Sequence, residues 1–562
     1  MADFRSHIIG IVNKTSGLKL DESVLEIPPD ENMGDYALPC FTLAKELRKS
    51  PAEIAKEIGG KISPDKYIGS VKIIGPYVNF FVKKDLLAED VLAEIYKEKE
   101  GYGAGKKRKE KIMIESPGPN TNKPLHLGHV RNMVLGNFLV NIYRFLGYNT
   151  IRVDIVNDRG IHICKSMLAY DRFGKNKEPD KKPDHFVGDF YVKYDLEAKS
   201  HPEFEQEIQD MLRKWEEGDK EVRKLWKKMN KWAIEGMAET YKRFGVKIDK
   251  AYYESDHYTK GRDIVLDALE KGIFKKDEKG NVVLENDSIG KKIVLRADGT
   301  SIYITQDIAL AKLRYEDYKM DNMIYVVASE QIHHFKSLFE IFRLLDYPFA
   351  ENCYHLAYGM VYLPEGKMKS REGNVVDADN LADDMNVKSR KEVEKRHKLS
   401  GKELERRAEA ISMSAIKFFI LKYDAMKDFV FNPKESLSFD GETGPYVQYT
   451  HARCSSILGK YEKKPSDKID YSLLNTDEDK ALLKLLKSYP EIVKMAGEQY
   501  KPSMVTRHVL DLSQAFNEYY HRHQILQDDK ELEKARVLLV YCVREVIRSS
   551  LGLLGIEAPD EM

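Results

Sequence analysis

Cysteine is scarce and never paired along this chain. Only five occur in 562 residues (Cys40, Cys164, Cys353, Cys454 and Cys542), and no C-x-x-C appears. That excludes a zinc knuckle built from cysteine pairs and fits a reducing compartment. Long apolar runs are missing as well: nothing approaches the roughly 18 residues that a membrane-spanning helix needs. Met1-Ala-Asp-Phe-Arg5 is not followed by the apolar stretch of a signal peptide. The expectation is a cytoplasmic protein without a membrane partner. Excess charge of either sign is also absent, because Lys plus Arg and Asp plus Glu both number 91. A polyanionic partner would have to be met by charge segregated onto one face.

What is present organises the chain into several units, as the length requires. Residues 1–100 look like a small α+β domain. A helix-like stretch runs from Ala37 to Ile58, divided at Pro51, and strand-like runs follow at Val71–Ile74 and Tyr77–Val82. The glycine-rich, basic run 101–111 reads as a linker, since it lacks G-x-x-x-x-G-K-[ST]. Residues 108–400 then alternate strand and helix, with strands at 111–114, 150–156, 323–328 and 355–358 and a helix over 126–147. That alternation predicts a doubly wound, Rossmann-like parallel α/β sheet. A charged insertion spans about 165–300, and its main helix carries Val222, Leu225, Met229 and Trp232 on one face. From 401 the pattern is wholly helical: connecting stem helices over 401–444, then a bundle over 445–562.

The chemistry concentrates in Glu115-Ser-Pro-Gly-Pro-Asn-Thr-Asn-Lys-Pro-Leu-His-Leu-Gly-His129, which follows the first strand and opens a helix. In an open α/β sheet that is where ligands bind. His126 and His129 share a face of the first turn. Gly128 allows close approach, and the free N–H groups of a helix start favour phosphate. Two imidazole donors there suit charge building on an α-phosphate. A second element, Tyr358 to Val376, carries Lys367, Lys369 and Arg371 between glycines, a composition suited to clamping a polyphosphate.

These two elements, in this order, resemble the H-I-G-H and K-M-S-K-S motifs of class I aminoacyl-tRNA synthetases. The likeness narrows to the arginyl-tRNA synthetase family. It extends through Val156-Asn-Asp-Arg-Gly-Ile-His162, Ser301-Ile-Tyr-Ile-Thr-Gln-Asp-Ile-Ala309, Val326-Val-Ala-Ser-Glu-Gln-Ile-His-His-Phe335 and Asp440-Gly-Glu-Thr-Gly-Pro-Tyr-Val-Gln-Tyr449. Gly34-Asp-Tyr-Ala37 and Gly75-Pro-Tyr-Val-Asn-Phe80 resemble the family's accessory tRNA-binding domain.

The resemblance implies an arginine–tRNA ligase that uses ATP with its accompanying Mg2+, L-arginine and the tRNA specific for arginine. A monomer is the expectation, and the sequence offers no dedicated protein metal cage. The resemblance further implies that Lys123, His126, His129, Lys369 and Arg371 act in catalysis. ATP would rest on His126, Leu127, Gly128, His129, Met360, Val361 and Lys367. Arginine would rest on Glu115, Asn120, Glu254, Tyr303, Asp307 and Gln331, with Asp307 as the guanidinium anchor. A carboxylate accepts two guanidinium N–H groups in parallel. Tyr446 and Tyr449 would meet the anticodon arm.

One position departs from the family pattern. Ser370 stands where the second lysine of K-M-S-K-S is usual, so another lysine neutralises the departing pyrophosphate or that contribution is missing; Lys123 resembles the family's compensating lysine, and Lys369 is the competing local candidate. Two other readings stay open on sequence: a different H-x-G-H ligase or nucleotidyltransferase, and a catalytically silent tRNA binder. The missing zinc-ligand cysteines argue against the cysteine-specific synthetase, and the intact histidines, Lys123 and Asp307 argue against silence.

Overall fold

The chain's architecture is known from a computed structural model, which describes residues 4–26, 28, 33–287, 289–362, 364, 376–396 and 399–562. Lys367, Lys369 and Arg371 lie outside the described residues.

The N-terminal unit packs helices on a three-stranded antiparallel sheet of order β1-β3-β2, with β1 Tyr36–Pro39, β2 Ile68–Ile74 and β3 Tyr77–Val82. Here the expected helix from Ala37 is corrected. Residues 36–39 pair with β3, Ala37 opposite Asn79, so tertiary pairing overrides a helix-like pattern. Helix appears first as the short Ala44–Leu47 and again from Pro51 to Gly59, where Ser50 and Glu53 form a reciprocal capping box. Pro51 thus divides the helical stretch, as expected, by starting its second helix after Ala44–Leu47 has ended. The expected linker is not free chain either. Tyr102 is buried and donates to the Leu486 carbonyl at 3.1 Å, and Arg108 N–H donates to Gly147 O at 2.7 Å.

The central sheet contains β4 (Lys111–Glu115), β5 (Asn149–Val156) and β6 (Lys250–Tyr253). A small antiparallel sheet follows, from β7 (Lys275–Lys276), β8 (Val282–Asn286) and β9 (Gly290–Leu295). The chain returns to the central sheet with β10 (Asn322–Ala328) and β11 (Cys353–Tyr358). The order is β11-β10-β4-β5-β6, and every pairing is parallel. The stretch read as one insertion thus supplies an edge strand, β6. Helices Pro183–Glu197, Glu203–Glu217 and Lys220–Phe244 precede that strand, packed around their own core with Phe186, Met229 and Trp232. Four residues of β6 carry too little pattern to stand out within so charged a region.

Side chains alternate across the sheet with the period of two that a strand imposes. Ile112 and Ile114 face a core shared with the C-terminal bundle, whereas Met113 and Val153 face the opposite core with Tyr325 and Phe342. From Gly401 the chain is almost entirely helical, in helices Gly401–Leu421, Gly444–Lys460, Asp477–Glu498, Pro502–Arg522 and Lys530–Leu553. Strand order reverses between β4 and β10, since β4 runs first to β5 on one side and later joins β10 on the other. The crevice beyond the carboxyl ends of these two strands is where such a sheet binds ligands.

Candidate active site

A cleft of about 550 Å³ opens at that reversal, walled by Glu115 at the end of β4 with Gly118 and Asn120 beyond it, and by Val326–Ala328 at the end of β10 with Gln331 beyond it. His126, Gly128 and His129 form its floor, Tyr303 and Asp307 one side, and Met360 and Val361 another. Beneath it, Asn132 ties three strand ends together. It accepts from Ser116 Oγ at 2.6 Å and donates to Val326 O at 2.6 Å and to the Tyr358 hydroxyl at 3.3 Å.

The histidine pair is held by backbone. His126 is the N-cap of helix Leu127–Phe145, and its Nδ1 accepts from Gly128 N–H at 3.1 Å. His126 N–H in turn donates to Nδ1 of His129, also at 3.1 Å, and the ring centroids lie 3.9 Å apart. A Cβ at position 128 would sit 3.0 Å from the His126 ring, so glycine leaves the ring its place over the helix start. Burial drives both imidazoles toward the neutral form, His126 down to about 4 and His129 well below its ordinary value, with Lys123 adding to both. A neutral ring whose Nδ1 accepts must carry its proton on Nε2. Both rings therefore present Nε2–H donors.

Lys123 stands behind His126, in an adjoining recess of about 260 Å³ that also touches His185 and Asp377. Burial lowers its pKa, and no described carboxylate pairs with it. The backbone just past the Gly366–Gly373 stretch meets this place directly: Leu127 N–H donates to Val376 O at 3.0 Å and Ala378 N–H to Leu125 O at 2.9 Å.

The arginine-site candidates do not all have the same surroundings. Asp307 Oδ2 lies 2.6 Å from His334 Nε2, and no described residue donates to Oδ1. Tyr303, one turn earlier on helix Tyr303–Tyr318, is 74% exposed. Asn120 and Gln331 are exposed at the rim. Glu115 differs: its carboxylate forms an ion pair with Arg314, itself fully buried on the Asp307 helix. Burial pushes the Glu115 carboxyl up and Arg314 opposes that push.

Glu254 lines a second cleft of about 610 Å³ that shares Asn120, Asn157 and Tyr303 with the first. Burial raises its carboxyl to about 7 against the opposing charge of Arg159, whose Nη1 is 3.7 Å away. Sequence reasoning passed over His334, Arg314 and Arg159. Arg314 sits seven residues after Asp307, two turns along the same helical face, and that spacing was a usable signal.

Among the described residues one His/Asp group has metal-ligand proximity, Asp184, His185 and Asp379. The Lys182 ammonium already occupies it, 2.9 Å from both carboxylates.

Paired histidines at a helix start, set at the reversal point of a parallel sheet and followed by a helical bundle, define a class I aminoacyl-tRNA synthetase. Comparison with known proteins agrees. Residues 91–433 match the family described as tRNA synthetases class I (R), catalytic domain. Residues 447–562 match the DALR anticodon binding domain and 2–82 the arginyl tRNA synthetase N terminal domain. The arginine–tRNA ligase of Treponema denticola is 45% identical, over 97% of this chain and 96% of that one. The Bacteroides thetaiotaomicron arginine–tRNA ligase is 42% identical, over 94% of each. A solved arginyl-tRNA synthetase from Thermus thermophilus superposes with a TM-score of 0.85 at 26% identity, covering 99% of this chain and 100% of that one. This chain belongs to the arginyl-tRNA synthetase family. Its reaction joins arginine to tRNA, with ATP consumed in catalysis.

Proposed function

We propose that the cleft performs both half-reactions with the residues named above in distinct roles. Asp307 Oδ1 accepts the arginine guanidinium, and Asn120 and Gln331 hold the amino and carboxylate end. The arginine carboxylate attacks the α-phosphorus of ATP in line, forming the mixed anhydride arginyl-adenylate as the bond to pyrophosphate breaks. The Nε2–H groups of His126 and His129 meet the charge that develops on the α-phosphate. A ribose hydroxyl of the terminal tRNA adenosine then attacks the adenylate carbonyl, and AMP leaves. Positioning and charge stabilisation carry most of such a reaction.

The observation that carries this reading is the pair of neutral imidazoles. Their Nδ1 atoms are engaged by backbone N–H groups, and their Nε2–H groups are left as donors beside a half-buried, guanidinium-ready carboxylate. Mg2+ would enter with the nucleotide, held by its phosphates.

For tRNA, the bundle offers a groove of about 1010 Å³ lined by Tyr449, Arg453, Lys460, Lys463, Lys464 and Tyr520. The Arg453 guanidinium lies 4.8 Å from the Tyr449 ring and 5.0 Å from that of Tyr520. Exposed rings beside cations suit the splayed bases of an anticodon loop. In the N-terminal unit, Phe41 is half exposed and packs edge-on against Tyr77, a second aromatic platform. The overall charge balance is therefore compatible with a local basic face. No helix among the described residues is long and apolar enough to cross a membrane. The free thiols and the tRNA substrate suit the cytoplasm, and the chain is taken to work as a monomer.

Aminoacylation of total tRNA with each of the twenty amino acids tests the assignment. Arginine alone is expected to be esterified, and charging by any other amino acid at a comparable rate contradicts it.

A further inference from the structure

Arg131 lies two residues past His129 on helix Leu127–Phe145 and is almost fully buried. Its hydrogen bonds among the described residues all run to backbone carbonyls. One amino group donates to Gly359 O at 2.6 Å and more weakly to Met360 O at 3.4 Å. The other donates to Asp424 O at 3.2 Å and to Ala425 O and Lys427 O at 2.8 Å. The Phe429 ring lies 4.8 Å from the guanidinium. A buried charge needs such compensation, and the planar fork of arginine can donate to two chain segments at once.

Those two segments have different places in the fold. Gly359 to Val361 follow β11 and form one side of the cleft whose floor is His126, Gly128 and His129. Residues 424–427 follow the stem helix Gly401–Leu421. The segments are also joined directly. Gly359 N–H donates to Ala425 O at 2.9 Å, Val361 pairs with Phe429, and Asp428 Oδ1 accepts from Met360 N–H at 2.6 Å. A Cβ at Gly359 would overlap that carboxylate oxygen, so the close approach requires glycine there.

We infer that Arg131 and Asp428 are positioning residues for ATP, holding the Gly359–Val361 wall at a fixed distance from the histidine pair. Arg131 and His129 ride on the same helix, so one rigid element spaces the floor that meets the α-phosphate from the wall beside the nucleoside. A bound nucleotide touches both only while that spacing holds. The arginine candidates Asn120, Asp307 and Gln331 lie on other segments, so a loosened wall should weaken ATP and spare arginine. This inference rests on the reading that Met360 and Val361 border ATP.

ATP–pyrophosphate exchange in the presence of tRNA, with ATP and arginine varied in turn, tests the inference in Arg131→Lys, Asp428→Ala and Asp428→Asn against wild type. A lysine ammonium keeps the charge but lacks the fork that spans both segments. Arg131→Lys is expected to raise ATP KM about tenfold, the scale of one or two lost hydrogen bonds, with arginine KM within about twofold. Asp428→Ala should raise ATP KM about fivefold. Asp428→Asn retains an acceptor for Met360 N–H, and its ATP KM should lie within about twofold of wild type. Loss of general stability would give neither this split between the two substrates nor the recovery in Asp428→Asn.

An arginine KM that rises along with ATP KM in Arg131→Lys, or an ATP KM within about twofold of wild type, would overturn the inference. Should Arg131→Lys fail to fold, the Asp428 variants decide. An ATP KM raised in Asp428→Ala and restored in Asp428→Asn supports the inference, and equal ATP KM in the two overturns it. Met360→Glu tests the reading beneath, since it puts a charge on the wall without removing an anchor. An unchanged ATP KM there would take ATP off this wall. A raised ATP KM in Met360→Glu with an unmoved one in Arg131→Lys would overturn the positioning role alone.

Discussion

The backbone N–H of His126 donates to Nδ1 of His129 at 3.1 Å, so the first turn of the helix dictates which nitrogen of the second ring carries the proton. Burial keeps both rings neutral far below physiological pH, His126 with a pKa of about 4. The acting group is then an imidazole N–H rather than an imidazolium. His126→Ala should lower kcat for arginyl-adenylate formation by about two orders of magnitude, the scale of losing one preorganised donor. The loss should be equal at pH 6 and pH 8. ATP–pyrophosphate exchange in the presence of tRNA measures it, and a loss confined to pH 6 would identify the charged ring as the active form.

Lys123 has no ionic partner among the described residues and stands directly behind His126. With Ser370 in place of the usual loop lysine, its charge is free to meet the pyrophosphate. Lys123→Ala is expected to reduce kcat of activation about a hundredfold, and by more than Lys369→Ala does. The reverse ranking in the same exchange assay would assign the compensation to Lys369.

In the anticodon-binding bundle, exposure separates the two tyrosines expected to stack on loop bases. Tyr449 is 39% exposed beside Arg453, whereas the Tyr446 hydroxyl accepts from Asn517 Nδ2 at 2.9 Å in a half-buried setting. Phe516 and Tyr519 are fully buried core residues. Tyr449→Ala should weaken tRNA binding by about 1–3 kcal/mol, the value of one stacked base, with little change in Tm. Tyr446→Ala should act chiefly on Tm. Filter binding with tRNA and a thermal melt of each variant separate the two effects.

His451 illustrates how burial links stability to pH. Its Nδ1–H donates to Pro559 O at 2.8 Å, and burial lowers its pKa to about 4. The unfolded chain binds that proton near pH 6.5, so the neutral folded ring is stabilising above pH 6.5. That contribution drains away as pH falls toward 4, by about 3 kcal/mol in all. Buried carboxyls such as Asp154, raised to about 6, titrate the opposite way in the same window. The difference between wild type and His451→Gln isolates the histidine. Denaturant midpoints at pH 7.5 and pH 5 should converge for the two proteins at the lower pH, and a constant gap would assign no proton linkage to His451.

Much of this molecule was readable from residues because its signals are local and redundant. Periodicity located the buried strands β4, β5 and β10, and the histidine motif located the helix start. Reading failed where tertiary structure outvotes local pattern. Tyr36–Pro39 is a strand because β3 pairs with it, and β6 joins the central sheet with only four residues. Residues matched to separate motifs, such as Asp307, His126 and Gln331, line one cleft. Electrostatic partners were invisible for a different reason. Nothing in the strand sequence says that Glu115 will meet Arg314, because that contact is made by folding a helix some two hundred residues away against the strand end. Arg314 became recognisable only once Asp307 had fixed which face of its helix turns inward.

The account stands or falls on which group reads the substrate's guanidinium, and the arginine KM of Asp307→Asn measures that most directly. Asparagine keeps the shape and removes the charge, and losing one partner of a desolvated charge pair costs roughly 3–5 kcal/mol. The predicted result is an arginine KM raised at least about a hundredfold with the ATP KM nearly unchanged. An arginine KM within about twofold of wild type would contradict the assignment and place the guanidinium on a different acceptor.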